Sequence, residues 1–334
     1  MPTALITGIT GQDGLYLAEF LLSKGYTVYG MVRGQANPKV SIVKETVPEV
    51  KLVFGDLTDF SSLLSVLEES QPDEVYNLAA ISYVHVSFQQ PELTYAITGL
   101  GVHKMLEAVR RYQGAGGNVR FYQASSSEMF GKVRETPQNE LTPFHPRSPY
   151  AIAKAMGHYA TVHYREAYGM FACSGILFNH ESPRRGPEFV TRKISLAVAD
   201  IAAGRADKIV LGNLNARRDW GFAGDYVKAM WLMLQQDEPS DYVVGTGESH
   251  SVTDFARLAL AHIGISDYEK YLAVDERYMR PADVEELRAD PTKARTVLGW
   301  EPTVSFEELV KMMVEADLAA SSGDQVRKEI TPRS

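Results

Sequence analysis

The chain has 334 residues and a formal net charge of −8, with 45% apolar and 23% charged residues. This is the composition of a globular protein too long for one small core, and the negative balance excludes sequence-independent nucleic-acid binding, which needs clustered cations. One cysteine, Cys173, excludes an internal disulfide and a multi-cysteine metal site.

In chain order, residues 3–7 read as a short buried strand. It runs into Gly8-Ile9-Thr10-Gly11-Gln12-Asp13-Gly14 and then an amphipathic helix over 15–23, stopped by Gly25. Strand, glycine turn and helix form the setting of a dinucleotide fingerprint, although the spacing is Gly-x-x-Gly-x-x-Gly rather than the standard Gly-x-Gly-x-x-Gly. Bare glycines let a diphosphate approach the backbone amides of a helix N-terminus. A second strand over 27–32 ends on Arg33, with no acidic residue before Glu45. At that position an acid selects NAD and an arginine accommodates the additional 2′-phosphate, so the reading is NADP.

A third strand over 51–55 leads to Asp56-Leu57. Asp56 could accept from an adenine amine, or cap a helix over 60–69, a role open also to Thr58 and Asp59. A fourth strand over 75–80 ends in Leu78-Ala79-Ala80, small enough at its tip for backbone to pass beneath a cofactor. A long helix over 93–111 follows, then a strand over 119–123 leading to Ala124. Strands alternating with helices at this rhythm imply a Rossmann-like, doubly wound parallel sheet of the α/β class.

The serines of Ala124-Ser125-Ser126-Ser127-Glu128 stand at that strand's carboxyl end, where parallel-sheet proteins place ligands. In Ser148-Pro149-Tyr150-Ala151-Ile152-Ala153-Lys154, Pro149 suits a helix start. Tyr150 and Lys154 then project from one helix face, one turn apart. An ammonium beside a phenol lowers its pKa from about 10, which makes Tyr150 a candidate general base for a hydroxyl proton. The helix continues to about Gly169, and Cys173 falls in the next strand, over 172–178, as a core thiol rather than a nucleophile. That strand delivers Asn179-His180-Glu181-Ser182-Pro183-Arg184-Arg185-Gly186, a polar cluster suited to an anion. The helix expected over 189–203 carries Arg192 and Lys193 near its start, where cations oppose the macrodipole unless something anionic lies nearby.

Beyond this point the alternation fades into a smaller α+β region. It holds a strand over 208–212, the charged-aromatic piece Arg217-Arg218-Asp219-Trp220-Gly221-Phe222, a helix over 252–263 and closing helices over 291–298 and 305–320. The run Met230-Trp231-Leu232-Met233-Leu234 reads as helical core. The expected division is a dinucleotide domain over 1–180 with about 215–250 returning to it, mainly a second, smaller ligand-binding domain over 181–320, and a flexible tail over 321–334. No apolar run approaches the roughly 20 residues of a membrane span. Met1-Pro2-Thr3 leads straight into a strand, so a cytoplasmic chain without membrane partners is expected. No histidines show metal-ligand spacing.

The glycine turn, the Ser126/Tyr150/Lys154 set, Asn179 to Gly186, Phe189-Val190-Thr191-Arg192-Lys193, Arg218-Asp219-Trp220-Gly221 and Arg280-Pro281-Ala282 together resemble the extended short-chain dehydrogenase/reductases, and within them the GDP-mannose 4,6-dehydratase family. The resemblance covers nearly the whole chain. It implies bound NADP, held by Gly8, Gly11, Gln12, Asp13, Gly14, Arg33, Asp56, Leu57, Leu78, Ala79, Ala80, Ser82, Tyr150, Lys154, His180 and Arg185. It also implies GDP-mannose held by Ser82, Ser126, Glu128, Tyr150, Asn179, Val190, Lys193, Arg218 and Arg280. The catalytic set it implies is Ser126, Glu128, Tyr150 and Lys154, with Ser126 where the family usually has threonine. Two further departures are Ile81 in place of glutamine and Gly34 in place of a second arginine. In the family's tetramers that arginine binds cofactor across the subunit interface, so the implied homo-oligomer is a dimer or a tetramer. A sugar-nucleotide 4-epimerase or 4-keto reductase would share Ser126, Tyr150 and Lys154 but needs no catalytic Glu128. An NADP-sensing regulator would be expected to lack the Tyr/Lys pair.

Overall fold

The computed structural model describes residues 1–34, 37–279, 282 and 284–330, with side chains described as far as residue 321. The first part alternates: β1 (Thr3–Thr7), α1 (Gln12–Ser23), β2 (Thr27–Val32), α2 (Val40–Thr46), β3 (Lys51–Phe54), α3 (Phe60–Ser70) and β4 (Glu74–Asn77). The passage to the next strand is helical for most of its length, through α4 (Val84–Gln89), α5 (Pro91–Thr94), a π-helical turn over Tyr95–Leu100, and α6 (Gly101–Gly114). Then come β5 (Arg120–Ser126), α7 (Pro149–Tyr168) and β6 (Ala172–Leu177).

The remainder holds β7 (Asn179–Glu181), α8 (Val190–Ala202), β8 (Ile209–Leu211), β9 (Arg217–Arg218), β10 (Trp220–Phe222), α9 (Ala223–Leu234) and β11 (Asp241–Val244). It ends with β12 (His250–Ser251), α10 (Val252–His262), β13 (Leu272–Val274), β14 (Glu286–Leu287), α11 (Thr292–Leu298) and α12 (Phe306–Ile330).

Seven strands form one sheet in the order β11-β6-β5-β4-β1-β2-β3, every pairing parallel. The chain winds outward from β1 to β3, then crosses to β4 and winds the other way. Strand order therefore reverses between β1 and β4, the crevice where doubly wound sheets receive ligands. Helices cover both faces. Leu17, Leu21, Met230, Met233 and Trp300 fill one side, and Leu63, Val66, Met105, Val109 and Phe121 the other. The run at 230–234 is core as expected: Met230, Met233 and Leu234 are buried. A second core lies between α8, α10 and α12, around Ile194, Phe255, Phe306 and Trp220.

Several boundaries differ from expectation. α2 and α4 were not anticipated, because each is short and carries few core residues. The helix expected over 93–111 is broken by the π turn, which Gly99 and Gly101 allow to lie close to α7 and to Leu57. The cap of α3 is Asp59, whose carboxylate accepts from Ser61 N at 3.1 Å. Asp56 instead accepts from Thr58 N at 2.8 Å and Thr58 Oγ1 at 2.7 Å. The helix expected to end at 320 runs on to Ile330, so most of the expected tail is helical; no proline interrupts it before Pro332. Among the described residues no helix is long and apolar enough to cross a membrane.

Candidate active site

One cleft of about 860 Å³ runs across the carboxyl ends of the sheet, from Arg33 and Asp56 at one end to Lys193 and Arg218 at the other. It is lined by every described residue named above for cofactor, sugar nucleotide or catalysis. Arg280 lies outside the described residues.

The glycine turn is built for close backbone approach. Gly8 has φ +75°, and a Cβ there would sit 2.8 Å from Ala79 N. A Cβ on Gly14 would meet Gly8 O at 2.5 Å, so the first turn of α1 packs directly on the loop. Gly11 is the N-cap of α1 and supplies no side-chain cap, which leaves first-turn amides facing the cleft.

Gln12, Asp13 and His180 are tied to one another. His180 Nε2 lies 2.7 Å from Asp13 Oδ2, and Nδ1 lies 2.8 Å from the Phe178 carbonyl. Gln12 donates to His180 O at 3.1 Å and accepts from Ser182 Oγ at 2.7 Å. Burial alone would raise the Asp13 carboxyl, but the charge and hydrogen bond of His180 bring it down to about 2. Burial works against a charged His180, and Asp13 more than offsets it, so the imidazole lies above its ordinary value. The helix N-terminus thus carries an acid whose charge is already neutralised.

A buried polar chain crosses the strand ends. Thr7 Oγ1 accepts from Leu78 N and Ala79 N, both at 3.1 Å, and donates to Asn77 Oδ1 at 2.7 Å. Asn77 Nδ2 donates to Gln123 Oε1 at 2.8 Å, and Gln123 Nε2 to Ala124 O at 2.9 Å. Lys154 Nζ reaches the same Ala124 carbonyl at 2.6 Å. Strands β1, β4 and β5 are thereby fixed relative to the lysine.

Ser148 caps α7 by accepting from Ala151 N at 3.1 Å, and Pro149 opens the helix as expected. Ser126, Glu128, Tyr150 and Lys154 come together, each no more than 9% exposed. The phenol does not show the lowering expected from Lys154. Burial pushes Tyr150 up to about 12; a hydrogen bond with Ser126 pulls it down and the Glu128 charge pushes it up. Burial also brings the Lys154 ammonium down to about 8. Its nitrogen is bonded to a carbonyl and stands 5.8 Å from the Tyr150 ring centre. In an environment this dry, desolvation outweighs the pairwise attraction that the spacing promised.

The cations at the start of α8 are partly answered from within the chain. Arg192 pairs with Asp317 of α12 at 2.7 Å and also bonds to the Pro183 carbonyl. Lys193 Nζ lies 3.1 Å over the Tyr278 ring. Arg185 lies 3.1 Å from Glu181 and covers Phe189 at 3.5 Å, and Glu181 accepts from Thr191 Oγ1 at 2.6 Å. Arg218 donates to the carbonyls of Arg217 and Val284, both at 2.8 Å. Asn179 Oδ1 is buried and has no hydrogen-bond partner among the described residues, although Asn179 lines the cleft.

Residues the sequence reading missed also line the cleft, among them Lys39, Tyr83, His85, Glu188 and Tyr278. Lys39 follows Arg33 closely and its charge was a usable signal. Tyr83 packs edge-on against Phe189, a contact no spacing rule reveals.

The profile of the GDP-mannose 4,6 dehydratase family matches residues 5–313. GDP-mannose 4,6 dehydratase 2 of Arabidopsis thaliana is 53% identical over 332 residues, covering 97% of this chain and 88% of that protein. The human GDP-mannose 4,6 dehydratase is 49% identical over 339 residues, covering 94% and 91%. Among solved structures, the Thermus thermophilus UDP-glucose 4-epimerase in complex with NAD superposes with a TM-score of 0.82 at 28% identity, covering 95% of this chain and 99% of that one.

Proposed function

As the chain belongs to the GDP-mannose 4,6-dehydratase family, we propose that it converts GDP-mannose to the 4-keto-6-deoxy sugar nucleotide and water through bound NADP. The observation that carries the reading is an identity near one half along almost the full length of the relatives, with a buried carboxylate, Glu128, beside Ser126 and Tyr150.

The residues present fit a dinucleotide. The uncapped start of α1 and the glycine turn offer backbone amides to a diphosphate. Arg33, with Lys39 in the same cleft, offers cations to a 2′-phosphate. For the sugar nucleotide, Asn179 brings a buried oxygen that has no donor among the described residues. The bound dinucleotide, when oxidised, supplies a hydride acceptor and a positive ring charge.

Tyr150 takes the proton of the sugar's 4-hydroxyl, and Ser126 donates to the oxygen on which charge develops. Burial holds the Tyr150 phenol up at about 12, so its deprotonation would draw on the positive charge that an oxidised dinucleotide would bring to the cleft, in addition to the Lys154 ammonium. The 4-ketone acidifies carbon 5; Glu128 removes that proton and can pass it to the carbon-6 hydroxyl, which leaves as water, and the hydride taken from carbon 4 would return to carbon 6 from the dinucleotide, so that no reductant is consumed. Lys193 and Arg218 hold the diphosphate of the sugar nucleotide, Arg218 already oriented by its two carbonyl partners.

A pairing surface supports a homo-oligomer. α7 turns Tyr150, Lys154 and His158 inward, yet Ile152, Met156 and Tyr159 on its other side are 45%, 43% and 59% exposed. Leu100 of the adjoining π turn is exposed as well. A helix apolar on both faces is buried on both, and a second copy of this chain covers the outer one.

Mass spectrometry after incubation with GDP-mannose tests the reaction. Loss of one water without net NADPH supports the dehydratase. Unchanged mass supports a 4-epimerase.

A further inference from the structure

Beneath the cleft lies a second polar chain that the reaction as described does not use. Ser125 Oγ is 2.6 Å from Ser174 Oγ, which is 2.9 Å from His158 Nδ1. The three residues are 3%, 0% and 6% exposed. Ser125 stands between Ala124, whose carbonyl anchors Lys154, and Ser126; Ser174 is on β6; His158 is one turn beyond Lys154 on α7. The His158 ring is boxed edge-on by Phe144.

Three polar groups placed in the core cost desolvation unless each is satisfied, and apolar residues of similar size would avoid that cost. Here each is satisfied, and the ring sets the direction. With a proton on Nδ1, His158 donates to Ser174, which donates to Ser125. With Nδ1 bare, Ser125 donates to Ser174, which donates to the ring. In either direction the Ser125 oxygen stays within hydrogen-bond reach of Ser174, so the end of β5 is tied to α7 through His158 as well as through Lys154.

We propose that His158 is a positioning residue for the reaction: through Ser174 and Ser125 it fixes the carboxyl end of β5, and with it Ser126 and the carbonyl that anchors Lys154. The proposal rests on the assignment of Ser126, Tyr150 and Lys154 to the chemistry.

The test compares His158→Phe, His158→Asn and Ser174→Ala in the full chain. Asparagine places a hydrogen-bonding atom near the position of Nδ1, whereas phenylalanine keeps only the ring packing. Two readouts are taken: kcat and KM for GDP-mannose with NADP, and amide hydrogen exchange of residues 124–128 without substrate. His158→Phe and Ser174→Ala are expected to lower kcat about tenfold, the scale of one lost buried hydrogen bond, with KM within about twofold. Both are expected to speed exchange at 124–128, and His158→Asn to restore both readouts to within about twofold of the parent. Parental kcat and exchange in His158→Phe or Ser174→Ala would overturn the proposal, as would a His158→Asn no better than His158→Phe. If the parent chain does not turn over GDP-mannose, the functional reading falls. Exchange alone then decides whether the chain of three groups holds the strand end.

Discussion

His180 and Asp13 form an ion pair in which both ring nitrogens face acceptors, the Asp13 carboxylate at 2.7 Å and the Phe178 carbonyl at 2.8 Å. That arrangement suits only the doubly protonated ring. His180 lies above its usual value of 6.5, so its contribution to stability is complete below 6.5 and is lost as pH rises through the folded value. Asp13 is brought down to about 2 from 3.8, so its contribution is complete above 3.8 and is lost as pH falls toward about 2. Asp13→Asn should cost about 2 kcal/mol where both are complete, the scale of a charge-assisted hydrogen bond. Melting temperatures of parent and variant should differ most near pH 5 and converge on the alkaline side. A difference that does not narrow at any alkaline pH at which the parent stays folded would contradict the pairing.

Glu128→Gln should lower kcat by roughly 10²–10⁴, the range of lost acid–base catalysis, while NADP affinity measured by calorimetry stays unchanged. Turnover equal to the parent's would remove Glu128 from the chemistry. In the parent, deuterium placed on carbon 4 of the sugar should reappear in the new methyl group, read by NMR.

Arg33 lies on the exposed rim of the cleft, near enough to Asp56 for its charge to help lower that carboxyl against burial. Arg33→Asp should weaken NADP about tenfold or more, as loss of a charged phosphate contact does, and leave NAD little changed. Equal loss of both cofactors, measured by fluorescence titration, would place the 2′-phosphate elsewhere.

Met156→Glu puts a charge in the middle of the exposed stripe on α7. Light scattering should then show a single-chain mass in place of a multiple. Met156 is on the opposite side of the helix from Lys154, so secondary structure by circular dichroism should be retained. An unchanged mass would move the pairing surface to another part of the chain.

The sheet was readable because most of its strands, the edge strand β3 apart, are buried on both faces and leave apolar runs. β1 and β2 have the expected limits for that reason. The π turn, α2 and α4 were not readable, since each depends on what it packs against rather than on its own periodicity. The site was legible where a local rule governs it, as with the glycine turn and the Pro149 helix start. It was misread where environment decides: the spacing of Tyr150 and Lys154 carries attraction but no measure of desolvation. Asp56 and Asp59 are equally plausible caps in one dimension, and the backbone angle at Asp59 chooses between them.

Three side chains of α7 grip three different strands: Lys154 reaches β5, His158 reaches β6, and Arg165 makes two bonds to Asp241 at the start of β11. A rod clamped at three levels can neither slide nor roll, so the height of the Tyr150 oxygen above the sheet is inherited from the scaffold. Tyr83, Glu188 and Tyr278 line the same cleft from outside that clamped helix, so the walls there can diversify while the reacting end stays put.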